Sequence, residues 1–278
     1  MSAVPTDKVD AASMRAPPPS LWQRSVRLRF FLIFSLITVV IWELACRLTA
    51  VRPFIFPAPA DVFNELVQDP LWLLYHAMFT VGAALAAFAI SVLLGLFLAV
   101  CIVYSRLLDR TLFTTLVATN AVPKVAIAPL FILWIGTGLE SKVLIAVLVS
   151  LFPMVVDAVV GLRSVDPGQL DLARTYRGST LQMFWKIRFP NALPSIFAGM
   201  KVAISLALVG TIVGEFVGSN EGLGFVILQS QGQYNTPRVF ASILLLSVLG
   251  IIMFQVVDLI ERHVMPWHVS HRAMAEDT

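Results

Sequence analysis

The sequence predicts an all-α protein built into a membrane, a polytopic chain with six transmembrane helices. Two observations predict it. Of 278 residues, 58% are hydrophobic and 13% charged, against about 45–50% and about 25% in soluble domains. A globule in water would lack the polar residues to cover itself, whereas a bilayer accepts an apolar exterior. The apolar residues also fall into runs of bilayer-spanning length, about 20 residues per helix. The clearest run, Ala77 to Ser105, contains no Asp, Glu, Lys or Arg. The net charge of +3 is small and scattered, with no basic cluster interleaved with aromatics, which excludes a nucleic-acid partner.

The elements follow in order. Residues 1–24, with Pro17, Pro18 and Pro19, read as a disordered cytosolic lead. The first span, 30–48, is closed by Glu43 and Arg47 with no small-residue cleavage site behind it, so it is not read as a cleaved signal peptide. The remaining spans are placed at 77–105, 111–135, 143–162, 195–217 and 239–260. Between the first two, Pro53, Pro57 and Pro59 precede Asp61 to Val67, whose apolar spacing predicts a short helix at the outer interface. Residues 218–238, rich in Gly, Asn and Gln, read as an outer loop that returns partly into the membrane, and 269–278 as a cytosolic tail.

Lys and Arg set the orientation. With the amino terminus inside, Arg24, Arg27, Arg29, Arg106, Arg110, Arg163, Arg174, Arg177, Lys186, Arg188, Lys201, Arg262 and Arg272 fall on the cytosolic side or its membrane edge, and Arg47, Arg52, Lys142 and Arg238 outside. An even number of spans then returns both termini to the cytoplasm.

Residues 163–194 carry most of the information. Asp166-Pro167 is a helix start, with a capping carboxylate and Pro at the first helical position. The helix Gly168 to Arg177 is expected to end on a left-handed Gly178. Ser179-Thr180-Leu181-Gln182 satisfies a capping box, so a second helix begins at once, to be stopped by Pro190 and Pro194. Leu170, Ala173, Leu181, Phe184, Trp185 and Phe189 make this hairpin more apolar than a water-bathed loop. Local features leave two covers open, lipid headgroups beneath its basic residues or a soluble partner.

Polar groups within the spans need reasons. Lys124, behind Pro123 and one turn from Asn120, is either a pore-facing group near the cargo path or a Lys that snorkels or pairs within a dimer; Pro123 and Pro129 predict a kink there. Glu215 reads as a cap or helix-end salt bridge ahead of cargo binding. Asp157 is expected to pair with Arg163 or the hairpin, and Glu43 with Arg47. Gly82, Gly95, Gly199, Gly210 and Gly214 suit close helix packing. Cys46 and Cys101 read as packing thiols, and the four His form no metal-binding pair.

The segment Asp171-Leu172-Ala173-Arg174-Thr175-Tyr176-Arg177, followed by Ile187-Arg188-Phe189-Pro190, resembles the EAA signature of ABC importer permeases: E-A-A, three residues, G, nine residues, I, one residue, L-P. Asp171 stands for the Glu, Ala173 for the second Ala, and Ile187 and Pro190 for their counterparts. The motif Gly aligns with Arg177, with Gly178 one place on, and Phe189 replaces Leu. Phe56-Pro57-Ala58-Pro59, Ile135-Gly136-Thr137-Gly138, Gly214-Glu215-Phe216-Val217-Gly218 and Gly222-Leu223-Gly224 extend the likeness to permeases of the nitrate, sulfonate and taurine type, over about residues 25–268.

That resemblance implies a type I ABC importer permease fold over 25–268 and a transport subunit rather than an enzyme. Two permeases, a homodimer as one motif per chain suggests or a heterodimer with a related permease, form the membrane core in the bacterial inner membrane. A periplasmic or lipid-anchored binding protein delivers cargo, and cytosolic ATPases hold the hairpin through Asp171, Leu172, Ala173, Arg177, Gly178, Ile187 and Pro190. The chain has no G-x-x-x-x-G-K-[ST] loop, so ATP and Mg²⁺ are expected on the ATPase and no cofactor here. Asn120, Lys124 and Glu215 are the candidate path residues. The implied cargo is a nitrate-, sulfonate- or taurine-like anion or a thiamine-pyrimidine-like compound. A gradient-driven transporter or channel would call for inverted repeats or buried carboxylates, and an intramembrane enzyme for paired catalytic groups at membrane depth; neither set is clear in the sequence.

Overall fold

The computed structural model describes residues 21–49 and 52–266, all as helices and their connections. Residues 1–20 of the expected disordered lead and the tail 269–278 lie outside the described residues, whereas residues 21–24 of that lead belong to a helix. The chain divides into two units, and everything below concerns the one running from Trp42 to Met265. The helices are α1 (Leu21–Leu48), which contains the expected first span and crosses from one unit into the other, α2 (Pro59–Gln68) and α3 (Pro70–Tyr104). Next come α4 (Arg106–Asn120), α5 (Lys124–Ile135), α6 (Leu139–Arg163) and α7 (Pro167–Thr175). The last are α8 (Thr180–Gly218), α9 (Leu223–Gly232) and α10 (Thr236–Val264). Helices α3, α6, α8 and α10 are each long and apolar enough to cross a membrane, and α4 with α5 pass the same test only as a bent pair.

The centre is a bundle of α3, α6 and α8, with α8 running antiparallel along α6. Apolar side chains gain nothing by meeting each other rather than lipid, so such helices associate by close approach of small residues. At Gly210 the backbones come close: a Cβ there would lie 2.6 Å from Ala146 Cα. Gly95 of α3 similarly receives Met154 of α6, and Ser91 and Ser150 share a buried hydrogen bond of 2.7 Å between the same helices. Gly82 departs from the packing expectation, with open space where its Cβ would be. α10 is stapled to α8 by Lys201, which pairs with Asp258 at 2.5 Å and with Glu261, while Arg262 holds Asp258 at 2.8 Å. Glu43 pairs with Arg47 at 2.8 Å and also accepts the N–H of Ala60, fixing the start of α2.

Four expectations change. The third span is not one kinked helix but two, meeting at 98° across residues 121–123. Pro123 cannot continue the ladder and disfavours the helical conformation of the residue before it, so the chain turns there and Pro129 is absorbed inside α5. The second helix of the hairpin does not stop at Pro190 and Pro194. Residues 184–188 form a π turn in which the Phe189 N–H bonds to Phe184 O, five residues back, and the helix passes through both prolines. The Gly/Asn/Gln-rich stretch 218–238 contains the helix α9. Asp157 lies against Gly199 of α8, whereas Arg163 pairs with Asp109 at 2.7 Å.

Candidate functional site

The α7–α8 hairpin is built by local signals. Asp166 Oδ1 accepts the Gly168 N–H at 2.6 Å, and Pro167 opens α7. At the other end the Gly178 N–H reaches Ala173 O at 3.0 Å and the Arg177 N–H reaches Arg174 O at 2.9 Å, the paired bonds of a Schellman cap. The left-handed residue of that cap is Arg177, with φ of 56°, and not Gly178 as the sequence suggested. The cap fixes the residue by its distance from the helix end, so it falls where the EAA pattern has its Gly. Gly178 is needed for closeness instead, since a Cβ there would lie 3.0 Å from Ala173 O. Ser179 then caps α8: its hydroxyl accepts the Gln182 N–H at 3.2 Å and the Gln182 side chain accepts the Ser179 N–H at 2.9 Å.

The base of the hairpin is tied to the bundle. Arg188 donates to Leu162 O at 3.2 Å and lies 5.6 Å over the Tyr104 ring. Asn191 donates to Ser164 Oγ at 2.8 Å. Phe184, Trp185 and Phe189 form an aromatic cluster with centroids 5.1–5.9 Å apart. The tip is polar and apolar at once: Asp171 pairs with Arg174 at 2.7 Å, beside exposed Leu172, Tyr176, Leu181 and Trp185. Leu170 is only half-buried and helps line a cavity of about 430 Å³ beneath α7, with Asp171, Arg174 and Arg188. Ala173, Ile187 and Pro190 are half-buried. Tyr176 was not singled out from the sequence; its spacing of one helical turn from Leu172 on α7 was the available signal. α8 has 39 residues, roughly 58 Å at 1.5 Å per residue, against a hydrocarbon core of about 30 Å.

The three candidate path residues do not converge. Asn120 and Lys124 meet across the α4–α5 break, with Lys124 Nζ 2.6 Å from Asn120 Oδ1 and 5.6 Å from the centroid of Phe152. They border a cavity of about 260 Å³ whose other lining residues are apolar apart from Thr119. Glu215 does not line it. It is 1% exposed and holds the start of α9: one oxygen accepts from Thr80 Oγ1 and the other from the Gly224 N–H, both at 2.7 Å. Thr80 Oγ1 accepts the Leu223 N–H at 2.9 Å and His76 Nδ1 the Gly222 N–H at 3.1 Å. Three successive amides of a buried helix start are thereby satisfied by three side chains. Gly222, with φ of 101°, is required twice over, because a Cβ would also run into the Glu215 carboxylate. His76 and Thr80 were not assigned this role from sequence; their separation of one helical turn was the only trace.

Residues 91–266, which hold the capped hairpin and most of the small-residue bundle, match the family of binding-protein-dependent transport system inner membrane components. The chain belongs to that family. Among its relatives, the formylaminopyrimidine transport permease protein ThiX of Halalkalibacterium halodurans is 33% identical over 84% of this chain and 94% of its own length. The putative aliphatic sulfonates transport permease protein SsuC of Bacillus subtilis is 30% identical over 86% of this chain and 88% of its own. The chain is thus an ABC importer permease of the nitrate, sulfonate and taurine type, a transport component embedded in the membrane by several apolar helices. A structure of the inward-facing MetNI methionine ABC transporter shares the fold, with a TM-score of 0.62 at 20% identity over 71% of this chain and 98% of that one.

Proposed function

We propose that two copies of this chain form the translocation pathway of an importer whose cytosolic ATPases grip the α7–α8 hairpin and whose periplasmic binding protein delivers a small solute. The observation that carries it is the hairpin: apolar Leu172, Tyr176, Leu181 and Trp185 stand exposed on a tip capped at every turn and continuous with a membrane-crossing helix. Such a tip transmits force, because α8 has no break between Thr180 and Gly218 and its base is held to α6 and α3. ATP and Mg²⁺ sit on the ATPase, and its closure moves paired hairpins together, shifting the bundle between two openings.

In this reading both termini are cytoplasmic, the hairpin spans 163–194, and the permease domain spans 25–268 with six crossings, the first within α1. The coupling contacts are made by Asp171, Leu172, Ala173, Arg177, Gly178, Ile187 and Pro190. Asn120 and Lys124 border the path, and Glu215 shapes its far end by anchoring α9. The cargo is a small sulfonate-like anion or a pyrimidine-like compound, in keeping with the names of the relatives. Asp171→Lys and Ala173→Glu test the reading: each is expected to abolish uptake and copurification of the ATPase while the chain still inserts. Normal uptake by both variants contradicts it.

A further inference from the structure

Several cations on the membrane-crossing helices differ in what faces them. Arg163, Lys201, Arg238 and Arg262 each meet a carboxylate. Lys142 is closed off against the Phe79 ring at 3% exposure. Among the described residues Lys124 has neither: its neighbours are the neutral Asn120 amide and the Phe152 ring, and it borders an open cavity of about 260 Å³. An ammonium at membrane depth with no carboxylate is costly unless a counter-charge arrives. Asn120 spends its oxygen on Lys124, which leaves its amide N–H groups to donate. The remaining wall, including Ile127, Phe131, Leu151 and Phe152, is carbon apart from Thr119, whose hydroxyl donates to the carbonyls of its own helix.

We propose that this cavity is a transit site for a small monoanion with an apolar, ring-sized body, its charged group on Lys124 and Asn120 and its body against Phe131 and Phe152. One cation balances one negative charge. The carbon wall disfavours a bare inorganic anion, whose lost hydration nothing there replaces. The volume lies below that of pockets for drug-sized ligands, about 300–1,000 Å³. The inference rests on the permease reading and narrows its cargo.

Cysteine labelling of the full chain in native membranes tests it without ATPase or binding protein, so failed uptake and failed charge selection are separable. In a chain with Cys46→Ser and Cys101→Ser, Thr119→Cys and, separately, Val122→Cys place a thiol on the cavity wall. Each is reacted with the anionic 2-sulfonatoethyl and the cationic trimethylammonioethyl methanethiosulfonates, with rates normalised to a free thiol. The anionic reagent is expected to react about tenfold faster, the low end of focusing by a charged cleft, and Lys124→Met to erase the preference. Benzenesulfonate should slow both reagents and sulfate neither. Equal rates before and after Lys124→Met, protection by sulfate as good as by benzenesulfonate, or no labelling at either position overturns the proposal.

Discussion

Replacing Glu215 with Ala isolates the buried anchor of α9. The carboxylate accepts from two groups, Thr80 Oγ1 and the Gly224 N–H, at 2.7 Å each and at 1% exposure. The Thr80 hydroxyl can turn to His76 O, but among the described residues the Gly224 N–H has no other acceptor, and a buried donor left unpaired costs about 1–3 kcal/mol, the loss expected of the variant. Gln behaves differently. Its oxygen still accepts the Gly224 N–H, its amide donates to Thr80 Oγ1, and the Thr80 hydroxyl turns to His76 O, already 3.2 Å away. Glu215→Gln therefore loses about 1.5 kcal/mol or less. Reversible unfolding in mixed SDS micelles reads the difference, and amide exchange at Leu223 and Gly224 locates it. Loss of less than about 0.5 kcal/mol in Glu215→Ala, the size of an ordinary surface change, refutes the capping argument.

Arg177→Gly relieves a left-handed conformation that costs an L-residue about 1–2 kcal/mol and should raise the unfolding midpoint, measured by thermal denaturation in detergent; a lowered midpoint shows that the Arg side chain holds the turn. Gly210→Leu should be strongly destabilising, because its Cβ alone would lie 2.6 Å from Ala146 Cα and overpacking costs about 1–3 kcal/mol or more; the yield of folded chain by size-exclusion chromatography reports it. Asn191→Ala and Arg188→Ala together cut the bonds to Ser164 and Leu162 and should raise the mobility of a spin label at Leu181, while the bundle core keeps its exchange protection.

Local signals were legible in the sequence and long-range ones were not. The Asp166 cap, the Ser179–Gln182 box and the Glu43–Arg47 pair are short-range, and each takes the form its residues dictate. The position of the left-handed residue was misread because Gly178 is the better left-handed former, yet helix length and the Schellman bonds place that conformation on Arg177. The sharp break at Pro123 and the smooth passage through Pro190 look alike in sequence. What separates them is a π turn that supplies a different acceptor ahead of Pro190. The Glu215 anchor was half visible: a capping role was readable from the residue, but its partner Thr80 comes from α3, 135 positions away, and only the packing of α3 on α8 joins them.

The central claim is that the hairpin tip is seated in an ATPase. Disulfide cross-linking from Leu181→Cys to single cysteines on the groove of the copurifying ATPase measures it directly, in a chain lacking Cys46 and Cys101. The account predicts one dominant cross-linked species whose yield changes when ATP is trapped. Labelling of Leu181→Cys by a lipid-headgroup thiol probe, with no ATPase adduct in either nucleotide state, contradicts it.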